Sequence, residues 1–320
     1  MKRFLRAALV LGLLGGAGGA VAAYPDHPVR IILPYAAGGG ADVLTRTVAD
    51  ALGKLWKQSV LVDNRPGAGA TIGTDMVAKA PADGYTLLMT AGTMAVSPAA
   101  YPKLPYDVLK DFAPITMVAE SPYVLAVNAA VPAKTVADLL KLAKRQPGKL
   151  NFGSPGNGTL SHLSFELLSF RTGTRSTLVN YKGSNPALTA VMAGEVDFVL
   201  DTPAAVMPQV DAGKLRALGV TSAARSRGLP SVPTLQEEGV PDFDVTIWFG
   251  LMAPAHTSPE IVRQLHDDVA KVLAAPAMKE KLGRERLEIT TMQPDEFATY
   301  LRRDVAKWGD VVRKANIKFD

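Results

Sequence analysis

The chain has 320 residues, 48% hydrophobic and 20% charged, with no cysteine, four histidines and a formal net charge of +5. That length suits two domains, and the apolar fraction supports packed cores rather than a disordered chain. The missing cysteines exclude disulfides, thiolate metal sites, a cysteine nucleophile and a lipidated-cysteine anchor. His27, His162, His256 and His266 lack zinc-ligand spacing, so neither a metal nor a cofactor is expected.

Residues 1–23 read as a secretory signal. Lys2, Arg3 and Arg6 precede a 15-residue apolar run, Ala7–Val21, followed by the small residues Ala22 and Ala23. The run holds five glycines and falls short of the ~20 residues a membrane span needs. Export with cleavage after Ala23 is therefore expected. The mature chain then carries 32 basic against 30 acidic residues. No basic, aromatic-rich stripe remains, and nucleic acid is not an expected partner.

In chain order, Val29–Pro34 reads as a strand. Glycines follow, then a helix near Ala41–Lys57 whose Leu44, Val48, Leu52 and Leu55 recur at three- and four-residue steps. Val60–Val62 and Tyr85–Met89 are the next strands, the second announced by the turn Asp83-Gly84. A second set opens at Tyr123–Val127. Thr135 caps a helix with Asp138 three residues on, and Gly148 closes it. Leu150–Gly153, Leu178–Asn180, Val196–Leu200 and Leu215–Val220 read as strands with helical patterns between them. Ile247–Met252 is a longer apolar strand. Ser258-Pro259 starts a helix that runs to Leu273. Phe297, Leu301, Val305, Trp308 and Val312 share one face of the last helix.

The alternation predicts an α/β protein of two domains, each a mainly parallel sheet flanked by helices. The helical tail cannot build its own sheet and is placed on the first domain. That domain comprises residues 24–122 plus 251–320, the second 123–250, with a ligand cleft between them. The chain crosses twice, near residues 118–127 and 245–253.

Two junctions carry the chemistry. Pro34-Tyr35-Ala36-Ala37-Gly38-Gly39-Gly40-Ala41-Asp42 follows a strand and opens a helix. So does Gly153-Ser154-Pro155-Gly156-Asn157-Gly158-Thr159-Leu160-Ser161-His162. Glycines there expose backbone N–H groups at a helix start, where the dipole favours an anion. Ser154, Thr159 and Ser161 add hydroxyls able to donate to an oxyanion. Ligands of open α/β sheets bind beyond the carboxyl ends of strands. Thr90, Thr93 and Ser97 follow the third strand and complete the cleft floor. Tyr181 and Asp201 follow strand ends in the second unit. Asp201 is read either as a cap before Pro203 or as a cleft group favouring a ligand with a distal ammonium or hydroxyl. Asp42 and His162 are read as loop braces or as ligand contacts, Arg65 as turn architecture, and Trp248 and Phe249 as core. Neither a dinucleotide fingerprint nor a Walker loop is present. A hydrolase using Ser154 or Ser161 with His162 is the remote alternative, against which stands the absence of a Gly-x-Ser-x-Gly elbow.

These residues resemble the tripartite tricarboxylate transporter receptors, or Bug family. The likeness rests on Gly39-Gly40-Ala41-Asp42, Asn64-Arg65-Pro66-Gly67-Ala68-Gly69, Asp83-Gly84-Tyr85-Thr86 and Gly153-Ser154…Gly156…Gly158…His162. It continues through Tyr181-Lys182-Gly183, Gly194-Glu195-Val196-Asp197, Pro233-Thr234-Leu235 and Trp248-Phe249-Gly250-Leu251. Ala37-Gly38 departs from the pattern by making a triple glycine, and Asn157 occupies a variable position. The resemblance implies a monomeric periplasmic solute-binding protein with a type II flytrap fold. It implies a ligand carboxylate held between the two loops, partly through ordered water. Di- and tricarboxylates, amino acids and aromatic acids are the implied ligands. The implied partner is a membrane transporter, or alternatively a signalling protein.

Overall fold

The computed structural model describes residues 24–101 and 103–317. The export segment and its cleavage point lie outside them.

β1 (Val29–Leu33) leads into α1 (Gly40–Trp56), on which Leu44, Val48 and Leu52 are fully buried. β2 (Val60–Asn64), α2 (Thr71–Ala78), β3 (Thr86–Ala91), α3 (Thr93–Ala100) and the long β4 (Phe112–Pro122) follow. Tyr123 alone separates β4 from β5 (Val124–Asn128). Next come α4 (Val136–Arg145), β6 (Asn151–Ser154), α5 (Leu160–Thr172), β7 (Thr177–Asn180) and α6 (Ser184–Ala193). β8 (Phe198–Asp201), α7 (Pro203–Asp211) and β9 (Leu215–Val220) complete this part. β10 (Thr246–Pro254) carries the chain back to α8 (Pro259–Ala274), α9 (Pro276–Arg284), β11 (Glu288–Ile289) and α10 (Pro294–Lys314).

Local chemistry sets the helix starts. The Thr135 hydroxyl accepts from the Asp138 amide while the Asp138 carboxylate accepts from the Thr135 amide, a reciprocal capping box. The Ser258 hydroxyl accepts from the Ile261 amide, with Pro259 at the first helical position.

The strands form two sheets, ordered β11-β4-β10-β3-β1-β2 and β7-β6-β8-β5-β9. Both are mixed rather than mainly parallel. β1 runs parallel to β2 and β3, and β6 parallel to β7 and β8. The strands that carry the chain between sheets break the pattern: β10 is antiparallel to β3 and β4, and β5 to β8 and β9. Hydrophobic spacing reports burial and not direction, so the sequence was silent on this point. β10 pairs with β4 along its whole length, so residues 246–250, expected with the second unit, lie in the six-stranded sheet.

The C-terminal helices pack on that sheet, and β11 extends it beside β4. Phe297, Leu301 and Trp308 are buried; Val305 and Val312, expected on the same face, are only half-buried. The Trp248 indole Nε1 donates to Asp304 Oδ2 at 2.8 Å, and its ring meets Phe297 edge-on at 5.5 Å. Trp248 and Phe249 are thus core, as expected. A Cβ on Gly250 would stand 2.3 Å from the Phe297 ring, so only glycine lets α10 close on β10.

Candidate ligand site

Each glycine loop joins a strand to a helix, and the same device braces both. In the first loop Gly38 has φ +84°, and its amide donates to Asp42 Oδ2, four residues on, at 3.0 Å. In the second, Gly158 has φ +69°, and its amide donates to His162 Nδ1, again four residues on, at 3.1 Å. A left-handed glycine turns the chain, and the first helical turn ties it down. Asp42 and His162 are both buried. Asp42 also accepts from Arg46 Nε at 3.1 Å and Asn64 Nδ2 at 3.0 Å. Asn64 Nδ2 reaches the Tyr35 carbonyl at 3.1 Å as well. Burial alone would raise the Asp42 carboxyl; the bonds from Arg46, Gly38 and Asn64 outweigh it and hold the group below the usual carboxylate range.

The hydroxyls expected to meet an oxyanion are committed elsewhere. The Ser154 and Thr159 hydroxyls both donate to the Gly156 carbonyl, at 3.1 and 2.8 Å, and Ser161 Oγ donates to the Leu200 carbonyl at 2.7 Å. Thr159 Oγ1 also caps α5 by accepting from the His162 amide. A hydroxyl has one proton, so none of the three has a second to offer. This corrects the expected role: they shape the loop. The Ser154 and Ser161 hydroxyl protons both go to backbone carbonyls.

Backbone amides remain. Those of Gly39, Gly40 and Ala41 have no acceptor among the described residues, nor do those of Leu160 and Ser161. Ala37 and Gly38 are exposed at the tip of the first loop, while Gly39 and Gly40 are half-buried where the helix begins. Each loop has a neighbour from the other half of the chain that sequence reading missed. Tyr101 Oη, just past α3, donates to the Asn157 carbonyl at 3.0 Å. A Cβ on Gly40 would stand 3.9 Å from Thr202 Oγ1, beyond the end of β8. Nothing marks Tyr101 or Thr202 in the sequence; Asn64 stood in a recognised motif.

Behind the loops lies a buried polar cluster. Thr90 and Thr93 are buried at the end of β3. The Tyr35 hydroxyl is buried beside them and close to the Ala91 backbone. Burial pushes this phenol up to about 12, partly offset by Thr90 and Thr93. Asp201, also buried, accepts from the Ser184 hydroxyl and from the Thr202 amide at 2.7 Å. Burial raises its carboxyl and these bonds pull against the rise. Tyr123, on the crossover, is raised by burial and then by Asp201 and Tyr35, which places it within electrostatic reach of both. Tyr181 donates its amide to the Ser154 carbonyl at 2.9 Å, setting its backbone against the second loop. Arg65 pairs with Asp63 beside β1, as expected of turn architecture.

A cavity of about 560 Å³ opens elsewhere, lined by Glu120, Asp244, Thr246, Tyr300, Asp304 and Lys307 among others. It shares no residue with either loop. Among the described residues no three acidic or histidine side chains form a metal cluster, and no helix is long and apolar enough to cross a membrane.

Comparison with known proteins identifies relatives of the whole chain. The family model described as the tripartite tricarboxylate transporter family receptor matches residues 44–317. Protein BugT of Bordetella pertussis is 36% identical over 297 residues, covering 92% of this chain and 91% of that protein. The structure of R. palustris Rpa4515 with adipate superposes with a TM-score of 0.88 at 35% identity, over 92% of this chain and 99% of that one. MatC from Rhodopseudomonas palustris with bound malate gives a TM-score of 0.84 at 30% identity, over 90% of this chain and 100% of that one.

Proposed function

Because this chain belongs to the tripartite tricarboxylate transporter receptor family, we propose that it is a periplasmic receptor for a small organic carboxylate. One carboxylate group sits between the starts of α1 and α5. The domains, residues 24–122 with 246–320 and residues 123–245, close on it, and the closed form delivers it to a membrane transporter of the tripartite type. The observation that carries this reading is the pair of braced helix starts with spare amides, each with a neighbour from the other half of the chain. The adipate and malate held by Rpa4515 and MatC support the choice of ligand class.

The energetics set a requirement. Micromolar affinity needs about −8 kcal/mol. A charge-assisted hydrogen bond contributes about 1.5–3 kcal/mol, and a helix end up to ~2 kcal/mol. Association costs at least about 4 kcal/mol. Four amide bonds at the low end of that range, with two helix ends, leave about 6 kcal/mol after association, and a ligand body that fills apolar space supplies the rest.

The test is a thermal-shift screen of carboxylates on the mature chain, followed by calorimetry. A ligand at 100 times its Kd adds about 2.7 kcal/mol of stability. Gly39 has an ordinary extended backbone, and a Cβ there meets nothing within 4 Å. Gly39→Val should leave the apo melting temperature unchanged and weaken binding at least a hundredfold. Unchanged affinity would remove the site.

A further inference from the structure

Resting on that receptor reading, we infer that Tyr101 fastens the closed cleft. It is a positioning residue: it belongs to the half built on the six-stranded sheet, and it holds the second glycine loop of the other half through one hydrogen bond. It acts on binding through the loop rather than through the ligand.

α3 meets the second loop at both of its ends. Gly92 precedes this helix, and a Cβ there would stand 3.0 Å from Leu160 Cδ2 at the start of α5. At the other end, a Cβ on Gly158 would stand 3.1 Å from the Ala100 methyl and 2.9 Å from Tyr101 Oη. These are packing contacts and carry no direction. The Tyr101 hydroxyl adds one that does, because its single proton goes to the Asn157 carbonyl at 3.0 Å. Hydrogen bonds from Ser226 to Glu288 and from Lys307 to the Asp244 carbonyl also join the halves. Those four residues line the cavity beside the crossover segments at Glu120–Pro122 and Thr246, close to where a hinge must turn. The Tyr101 bond is made at the ligand loop itself. Opening the cleft therefore has to break it, whereas bonds beside the hinge can survive a rotation.

The segment that seats Tyr101 is strained. Gly67, Ala68, Gly69 and Ala70 all have positive φ, at +130°, +46°, +60° and +77°. The left-handed region is unfavourable for the two alanines, and such strain persists only where the surroundings impose it. Here the turn wraps the phenol: a Cβ on Gly69 would overlap the Tyr101 hydroxyl. The Asn64–Gly69 motif thus has a task beyond turning the chain. Its last glycine leaves the space from which Tyr101 reaches across.

Calorimetry and stopped-flow fluorescence on the mature chain test this with the tightest acid from the thermal-shift screen, adipate and malate among those screened. Tyr101→Phe keeps the ring and deletes the bond. It should weaken binding about fivefold, the size of one net hydrogen bond. Ligand enters the open cleft before the latch forms, so the loss should lie in faster dissociation, with the association rate within about twofold of native. Gly69→Ala displaces the same hydroxyl and should weaken binding too. Combining it with Tyr101→Phe should cost no further affinity, because both variants break one latch. Native affinity in Tyr101→Phe overturns the inference, as does a loss carried by the association rate or additive losses in the double variant. Each of these leaves the receptor reading in place. Failure of every carboxylate to bind the native chain would instead remove the receptor reading, and this inference with it.

Discussion

At the scale of single residues, this molecule uses its polar groups mostly on itself. Asp42 and His162 hold glycine amides, Ser154 and Thr159 share one carbonyl, and Asp304 receives an indole proton. Asp304 allows a clean electrostatic test. Burial raises its carboxyl above the unfolded value, against smaller opposing effects from Trp248, Lys307 and Trp308. A raised carboxyl favours folding fully below its unfolded pKa of about 3.9, and that contribution is lost as pH rises through the folded value. Asp304→Asn keeps an acceptor for Trp248 and discards the charge. Its stability relative to the native chain should therefore increase from pH ~4 to pH ~7, read by urea denaturation at several pH values. A difference that shrinks over that interval contradicts the assignment.

At the scale of elements, what could be read from the sequence was whatever depends on neighbours along the chain. The stripe of Leu44, Val48 and Leu52, the Thr135–Asp138 box and the Ser258-Pro259 start are all local patterns, and each element formed where its pattern stood. The glycine loops were legible for the same reason. The destinations of their hydroxyl protons were not, because Ser161 reaches Leu200, a partner 39 residues away. The two loops also differ in a way that only packing reveals. A Cβ at Gly158 would lie 2.9 Å from Tyr101 Oη and 3.1 Å from Ala100, on a backbone with φ +69°. Gly158→Val should thus destabilise the apo chain by about 1–3 kcal/mol, visible as a lowered melting temperature, whereas Gly39→Val should not. Equal melting temperatures for the two variants would show that the second loop yields easily.

At the scale of the whole molecule, the two sheets are joined through strands rather than through a flexible linker. β4 runs into β5 with only Tyr123 between, and β10 returns beside β4. Hinge closure needs only a few residues to change their dihedrals, and a ligand touching both halves shifts the population towards the closed form. Small-angle scattering should show a smaller radius of gyration at saturating ligand than without it. An unchanged radius would count against closure.

The pairing of β4 with β10 has one more consequence. Thr246 and Pro122 are Cα partners in register, so the 123 residues between them leave and rejoin the six-stranded sheet at a single point. The five-stranded sheet is thus a guest spliced into the middle of its host. Excising residues 123–245 and joining the cut ends with an Asn-Gly turn would convert β4 and β10 into an ordinary hairpin. The shortened polypeptide should melt in one cooperative transition by circular dichroism, with Trp248 still shielded from quenchers. A chain that stayed unfolded would show that host and guest stand only together.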